Sequence, residues 1–121
     1  MITEDYVSFE TAKLLKEKRF DIPCMGRYSV RSREFHLDCT KMYNNGGFFV
    51  YAAPTLQMAM KWLREVHNID IFPWKIGKGI YSCAIFNSNT GQDLSSGKDF
   101  PSEKYEETVE AVIQYSLKNL I

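Results

Sequence analysis

The chain lacks the residue patterns on which several activities depend. Cys24, Cys39 and Cys83 are odd in number, widely spaced and free of any CxxC pair, so neither a zinc ribbon nor a disulfide framework is encoded. Glycine-rich phosphate loops are missing as well. Gly77–Lys78–Gly79 comes nearest, but it does not make GxxxxGK[ST], and Ser82 stands where GxGxxG needs glycine. That tripeptide reads as a hairpin turn. Neither sign of charge is in excess, with 15 basic residues against 15 acidic ones, so no chain-wide basic surface awaits nucleic acid. The stretch MITEDYVSFE carries acidic residues where a signal peptide needs a basic and then an apolar region. No apolar run approaches the roughly 20 residues that span a bilayer. These absences lead to the expectation of a cytoplasmic protein with reduced thiols, no membrane partner and no cofactor.

What the chain does contain is apolar and aromatic. At 121 residues it is expected to form a single domain, 1–121, burying roughly two-thirds of its unfolded surface. It is 45% apolar and 25% charged, the balance of a folded protein. The aromatic share of 14% exceeds what one core of this size needs, so some rings are expected at a surface that something covers.

Local pattern supplies the elements. Ser8 is placed to cap a helix over about 8–19, with Phe9, Ala12 and Leu15 on one face and Leu14 off it, ended by Asp21–Pro23. From Arg27 the period changes to two, and the parity switches between Tyr28/Val30 and Phe35/Leu37/Cys39, which implies a hairpin of strands 25–31 and 34–39. Asn44–Gly47 (NNGG) is a turn signal for positive φ, and Phe48–Ala52 reads as a strand. Thr55 would cap a second helix that Asn68 closes, with Leu56, Ala59, Met60, Leu63, Val66 and His67 facing a core. Ile69, Ile71 and Trp74 suggest a strand at an edge or bulge, because it contains Pro73. Ile80–Phe86 reads as a buried strand and Asn87–Ser102 as a polar loop. Ser102 would cap a last helix with a stripe of Tyr105, Val109, Val112, Ile113, Leu117 and Leu120. The expected fold is α+β, a mainly antiparallel sheet of four to five strands with about three helices in the order α-β-β-β-α-β-β-α.

Several groups are candidates for chemistry or contact. Glu34, His36 and Asp38 alternate along one strand and would share a face, as a metal site or an oriented histidine requires, or simply as the water-facing side of an amphipathic strand. His67 would pair with a cysteine as a nucleophile's base, or lie packed near its helix C-terminus. Arg27, Arg31 and Arg33, with Lys41 and the rings of Tyr28 and Tyr43, would contact single-stranded nucleic acid or protect a strand edge. Glu103, Glu107 and Glu110 read as a solvated, dipole-stabilising face. Met58 and Trp62 fall roughly 150° and 100° from the centre of their helix's core stripe, an i, i+4 pair whose covering is either the chain itself or another molecule.

Three segments, YVSFETAKLLKEKRFDIPC, APTLQMAMKWLREVHNIDI and YEETVEAVIQYSLKNLI, resemble a group of small uncharacterised proteins of gut anaerobic bacteria, often encoded beside prophage or mobile-element genes. The resemblance covers about half of the chain and implies an accessory role, with no activity, cofactor or site residue to carry over.

Three functional expectations follow. The first is a non-enzymatic protein–protein interaction or accessory module, working as a homodimer or with an unknown protein partner through Met58 and Trp62. The second is a phage-type regulatory protein touching nucleic acid through Arg27, Arg31 and Arg33. The third is an enzyme or metal protein using Glu34, His36 and Asp38.

Overall fold

The computed structural model describes residues 2–121. Along them run α1 (Phe9–Glu17), β1 (Gly26–Ser29), β2 (Phe35–Leu37), β3 (Val50–Ala53), α2 (Leu56–His67), β4 (Ile69–Gly77), β5 (Ile80–Asn87) and α3 (Tyr105–Asn119). The protein is thus an α+β chain with antiparallel pairing. Its strands form two sheets, β2-β1-β3 and β4-β5, in place of the one sheet expected. Alternation along a strand tells which residues share a face, but not which strand lies alongside. Two compact units result, divided between Leu56 and Gln57.

In the first unit, Ser8 caps α1 by accepting from the Thr11 amide. The helix ends before Asp21. Phe20 N–H bonds Leu15 O at 2.9 Å and Arg19 N–H bonds Lys16 O at 3.1 Å, a Schellman pair that puts Arg19 at φ 66°. Phe20 and Leu15 are buried there together with Val7 and Ala12. β1 lies between its two neighbours, with Tyr28 opposite Phe35 on one side and opposite Tyr51 on the other. The face carrying those three rings meets Phe9 of α1, whose ring centroid is 5.7 Å from Tyr28 and 5.4 Å from Tyr51. Tyr6 adds a contact with Phe35 at 5.1 Å.

Three expectations for this unit are corrected. β2 does not bury Phe35, Leu37 and Cys39: Phe35 is 38% and Leu37 50% exposed, and Cys39 is exposed, because β2 is a three-residue edge strand. The NNGG turn forms without positive φ at any of its four residues. Asn44 instead accepts the Gly46 amide, and Asn45 ties Phe20 O to the Ala52 amide. Phe48 and Phe49 precede β3 rather than belong to it, and are 88% and 72% exposed.

In the second unit, α2 runs to His67 and Asn68 takes the left-handed conformation at φ 57°, as its place after the last turn suggests. Ala59, Met60 and Leu63 are buried, as is Leu56, the last residue of the first unit, but Val66 is 56% exposed. Its angle on the helix is right; its position in the last turn leaves it uncovered. β4 and β5 form a ribbon closed by Lys78–Gly79, with Gly79 at φ 76° and a register shift between Lys75 and Gly77. Pro73 pairs with Cys83, where a residue without an N–H forfeits no bond to β5. α3 packs on the ribbon with Val109, Val112, Ile113 and Leu117 fully buried. Ser102 is not its N-cap. Lys104 holds that position, and the Ser102 hydroxyl donates instead to Glu107 at 2.7 Å.

Candidate functional site

The carboxylate–imidazole row does not assemble into a site. Glu34 comes within 3.9 Å of His36, while Asp38 turns to Thr40, accepting from its amide at 2.9 Å and its hydroxyl at 2.7 Å. Those bonds hold the Asp38 carboxyl below the usual carboxylate range. Among the described residues no three His, Cys, Asp or Glu side chains gather as a metal would require.

The thiols are poor nucleophiles where they are sheltered. Burial pushes Cys24 up to about 11, and its Sγ donates to Ile22 O at 3.2 Å. Burial also raises Cys83, partly offset by the Thr108 hydroxyl 3.7 Å from its sulfur. The His67 ring faces Trp62, with centroids 4.7 Å apart.

The three arginines are brought near one hairpin but not onto one surface. Arg27 lies over the Tyr43 ring at 4.3 Å, on the face of β1 opposite Tyr28. Arg33 lies over Phe9 at 4.9 Å, on the Tyr28 side. Arg31 stands at the tip, lining a shallow recess with Ser29 and Phe49. A broader recess of about 600 Å³ lies between the end of α1 and residues 44–46. Its polar groups serve the fold: Lys16 donates to Gly47 O, and the Asn45 amide is engaged on both sides.

Met58 and Trp62 part company. Trp62 is 6% exposed and lies within the chain's own packing, whereas Met58 is 41% exposed. The buried arc of α2 is therefore wider than its aliphatic stripe suggests. It extends about 100° beyond Leu63 to take in the indole, and Met58 lies just past its edge.

A different apolar surface is presented by the ribbon. Ile69, Ile71, Cys83 and Ile85 occupy the face against α3 and are buried. The other face carries Phe72, Trp74, Ile80 and Phe86, at 61, 50, 41 and 36% exposed, with Ile76 in the bulge at 44%. Ala84 lies opposite Phe72 and Ser82 opposite Trp74, so each large ring is set against a small cross-strand neighbour. Sequence pattern hid this face because both parities of IDIFPWKIG are apolar. Ile69 and Ile71 mark one side as core, and the sequence pattern groups Trp74 with them although it points the other way.

The far edge of β5 is occupied. Tyr81 bridges Ser102, Phe86 bridges Asp93, and the Leu94 amide bonds Ile85 O at 2.8 Å. On the far edge of β4 no strand or bridge pairs among the described residues. Pro73 removes a donor from the middle of that edge and so discourages strand addition there.

No helix among the described residues is long and apolar enough to cross a membrane. No family model, curated protein or solved structure matches the chain.

Proposed function

We propose that the protein is a non-enzymatic interaction module that binds another polypeptide through the outer face of the β4–β5 ribbon. The observation that carries this reading is the grouping of Phe72, Trp74, Ile80 and Phe86 on one sheet face, each more than a third exposed, while the opposite face holds the core. Together the four side chains leave on the order of 400 Å² of apolar surface in water, which marks contact sites more often than ordinary surface. Aromatic anchors of this kind supply most of the energy at protein interfaces. We read the contact on the ribbon rather than on Met58 and Trp62, since a buried indole has little area left to give a partner. Such a module is also the kind of accessory protein that the sequence resemblance implies.

A photoactivatable phenylalanine analogue at position 74 tests the reading in cells of the source organism or with purified protein. A covalent adduct with a polypeptide is expected on irradiation, and is expected to vanish when Phe72 is also replaced by serine. Irradiation that yields no polypeptide adduct would overturn it.

A further inference from the structure

Two cysteines meet at the end of the first sheet. β1 and β2 pair Tyr28 with Phe35 and Gly26 with Leu37. The ladder runs beyond them, since the Asp38 amide bonds Met25 O at 3.1 Å. One rung further, Cys24 stands opposite Cys39. Alternation puts both on the face that carries Tyr28 and Phe35. Ser29 with Glu34 and Met25 with Asp38 are hydrogen-bonded across this ladder, so Cys24 and Cys39 occupy a rung without such bonds. Cα atoms on a rung of that kind lie about 4.5 Å apart, within the roughly 4.4–6.8 Å that a disulfide spans. The backbone bonds of Cys24 point the other way. Its amide and carbonyl both pair with Tyr43 at 2.7 Å, so the segment 39–42 passes round the end of β1.

We infer that Cys24 and Cys39 are a modification site, closing a reversible disulfide when a peroxide oxidises the protein. Both are thiols in this structure, Cys24 buried and Cys39 exposed. Burial raises the Tyr6 hydroxyl, and Cys39, Glu4 and Cys24 add to the rise as negative neighbours, so both sulfurs lie within electrostatic reach of one ring. Exposure sets the order of events. The Cys39 thiolate attacks one peroxide oxygen, the O–O bond breaks, and the departing hydroxide takes up a proton as water, leaving a sulfenic acid. The Cys24 sulfur then attacks the Cys39 sulfur, the S–O bond breaks, and hydroxide leaves with the Cys24 proton as a second water. Two electrons pass from the thiols to the peroxide, and a dithiol returns them. Cys24, pushed up to about 11 by burial, is a poor first target, but the sulfur it must reach is already activated across the rung. Closure exchanges its Sγ bond to Ile22 O at 3.2 Å for a covalent link. Cys83 has no thiol across from it, since its partner on β4 is Pro73.

Peptide mapping tests the inference. The folded full chain is treated in dilute solution with about one equivalent of hydrogen peroxide, alkylated in denaturant and digested with trypsin without reductant. Peptides 20–27 and 34–41, which hold Cys24 and Cys39, are expected as one linked species that dithiothreitol separates. Cys83 is expected to be alkylated in peptide 79–98. Cys24→Ser is expected to hold Cys39 as a sulfenic acid that dimedone traps. Cys39→Ser, a change at an exposed position, is expected to leave Cys24 a thiol. Wild-type protein in which Cys39 proceeds to a sulfinic acid while Cys24 remains a thiol would overturn the inference. So would a link to Cys83, a link only between molecules, or thiols that all survive the peroxide. A link that forms in urea but not in the folded chain would overturn it too, because the rung between β1 and β2 would then have no part in the closure.

Discussion

Both sheets are packed against a helix on one face, yet they use their aromatic residues in opposite ways. In β2-β1-β3 the rings of Tyr28, Phe35 and Tyr51 lie on the side of the helix, where Tyr28 and Tyr51 meet Phe9 and Phe35 meets Tyr28, with the Tyr28 hydroxyl bonding Val7 O at 2.7 Å. In β4-β5 the helix side carries Ile71, Cys83 and Ile85, with one ring, Tyr81, against Tyr105 of α3, and the rings of Phe72, Trp74 and Phe86 look away from it. Aromatic residues turned toward a helix contribute to the fold that holds them. Turned away, they add nothing to that core and keep their area for something else. The difference leaves Phe72, Trp74 and Phe86 of the ribbon, and not Tyr28 and Tyr51 of the first unit, with much of their ring surface in water.

The largest effect that would break this contrast lies within one ribbon. Ile85 is fully buried and Phe72 is 61% exposed. Ile85→Ala is expected to cost about 2–5 kcal/mol from lost transfer energy and the cavity left behind. Phe72→Ser, on the opposite face, is expected to stay within about 0.5 kcal/mol in the monomer. Urea melts of both variants at low protein concentration check the pair. Equal losses would mean that the outer face is part of the core after all.

Thiol chemistry separates sheltered from open positions next. Cys39 is exposed, while Cys24 is buried with a thiol pushed from 9.0 up to about 11. At pH 8 Cys39 is expected to react with iodoacetamide in the folded protein, and Cys24 and Cys83 only as it unfolds. Because the folded pKa of Cys24 is raised, its neutral thiol supports the fold fully below about pH 9. That support is lost as the pH climbs through 11, and stability should fall over that window. Cys24→Ser melts measured from pH 8 to 11 should lack that part of the decline.

The close packing of the first sheet provides a third test. A Cβ on Gly26 would come to 2.7 Å from Ala53 O and 3.0 Å from the rings of Phe35 and Tyr6. The first contact is with backbone, which cannot swing aside, so Gly26→Ala is expected to cost about 1–3 kcal/mol. A thermal melt of the variant measures it. No comparable loss is expected from Gly47→Ala, which meets nothing within 4 Å.

Local signals held at some positions and failed at others, since Ser102 does not cap α3 and the NNGG turn forms without positive φ. Ser8 as a cap, Asn68 at a helix end, the Gly77–Gly79 turn and the α3 stripe each rest on a few neighbouring residues, and all took the expected form. Sequence reading was least successful where tertiary neighbours decide. The division into two sheets, the exposure of β2 and the burial of Trp62 depend on what lies across space from residues whose local pattern is ambiguous. The ribbon's outer face belongs to the same class. Pairing register was needed to show that Phe72, Trp74, Ile80 and Phe86 share one side. The candidate site was thus hardly legible, although its aromatic surplus was.

The smallest effect concerns the end of α1, where the first unit gives up some stability to its backbone. Arg19 sits at φ 66°, in the left-handed region that glycine occupies freely and arginine does not. The Schellman bonds of Arg19 and Phe20 require that conformation, and the burial of Phe20 beyond it depends on them. Arg19→Gly removes the strain and keeps both bonds, but frees the unfolded chain somewhat, so a net gain of about 0.5–1 kcal/mol is expected. Arg19→Ala is the control: it discards the guanidinium and retains the Cβ, and should leave stability within about 0.5 kcal/mol of the parent. If alanine stabilises as much as glycine, the cost at this position belongs to the arginine's charge and not to its backbone. The ribbon offers no matching gain at its own turn, since Gly79 already occupies the left-handed position there.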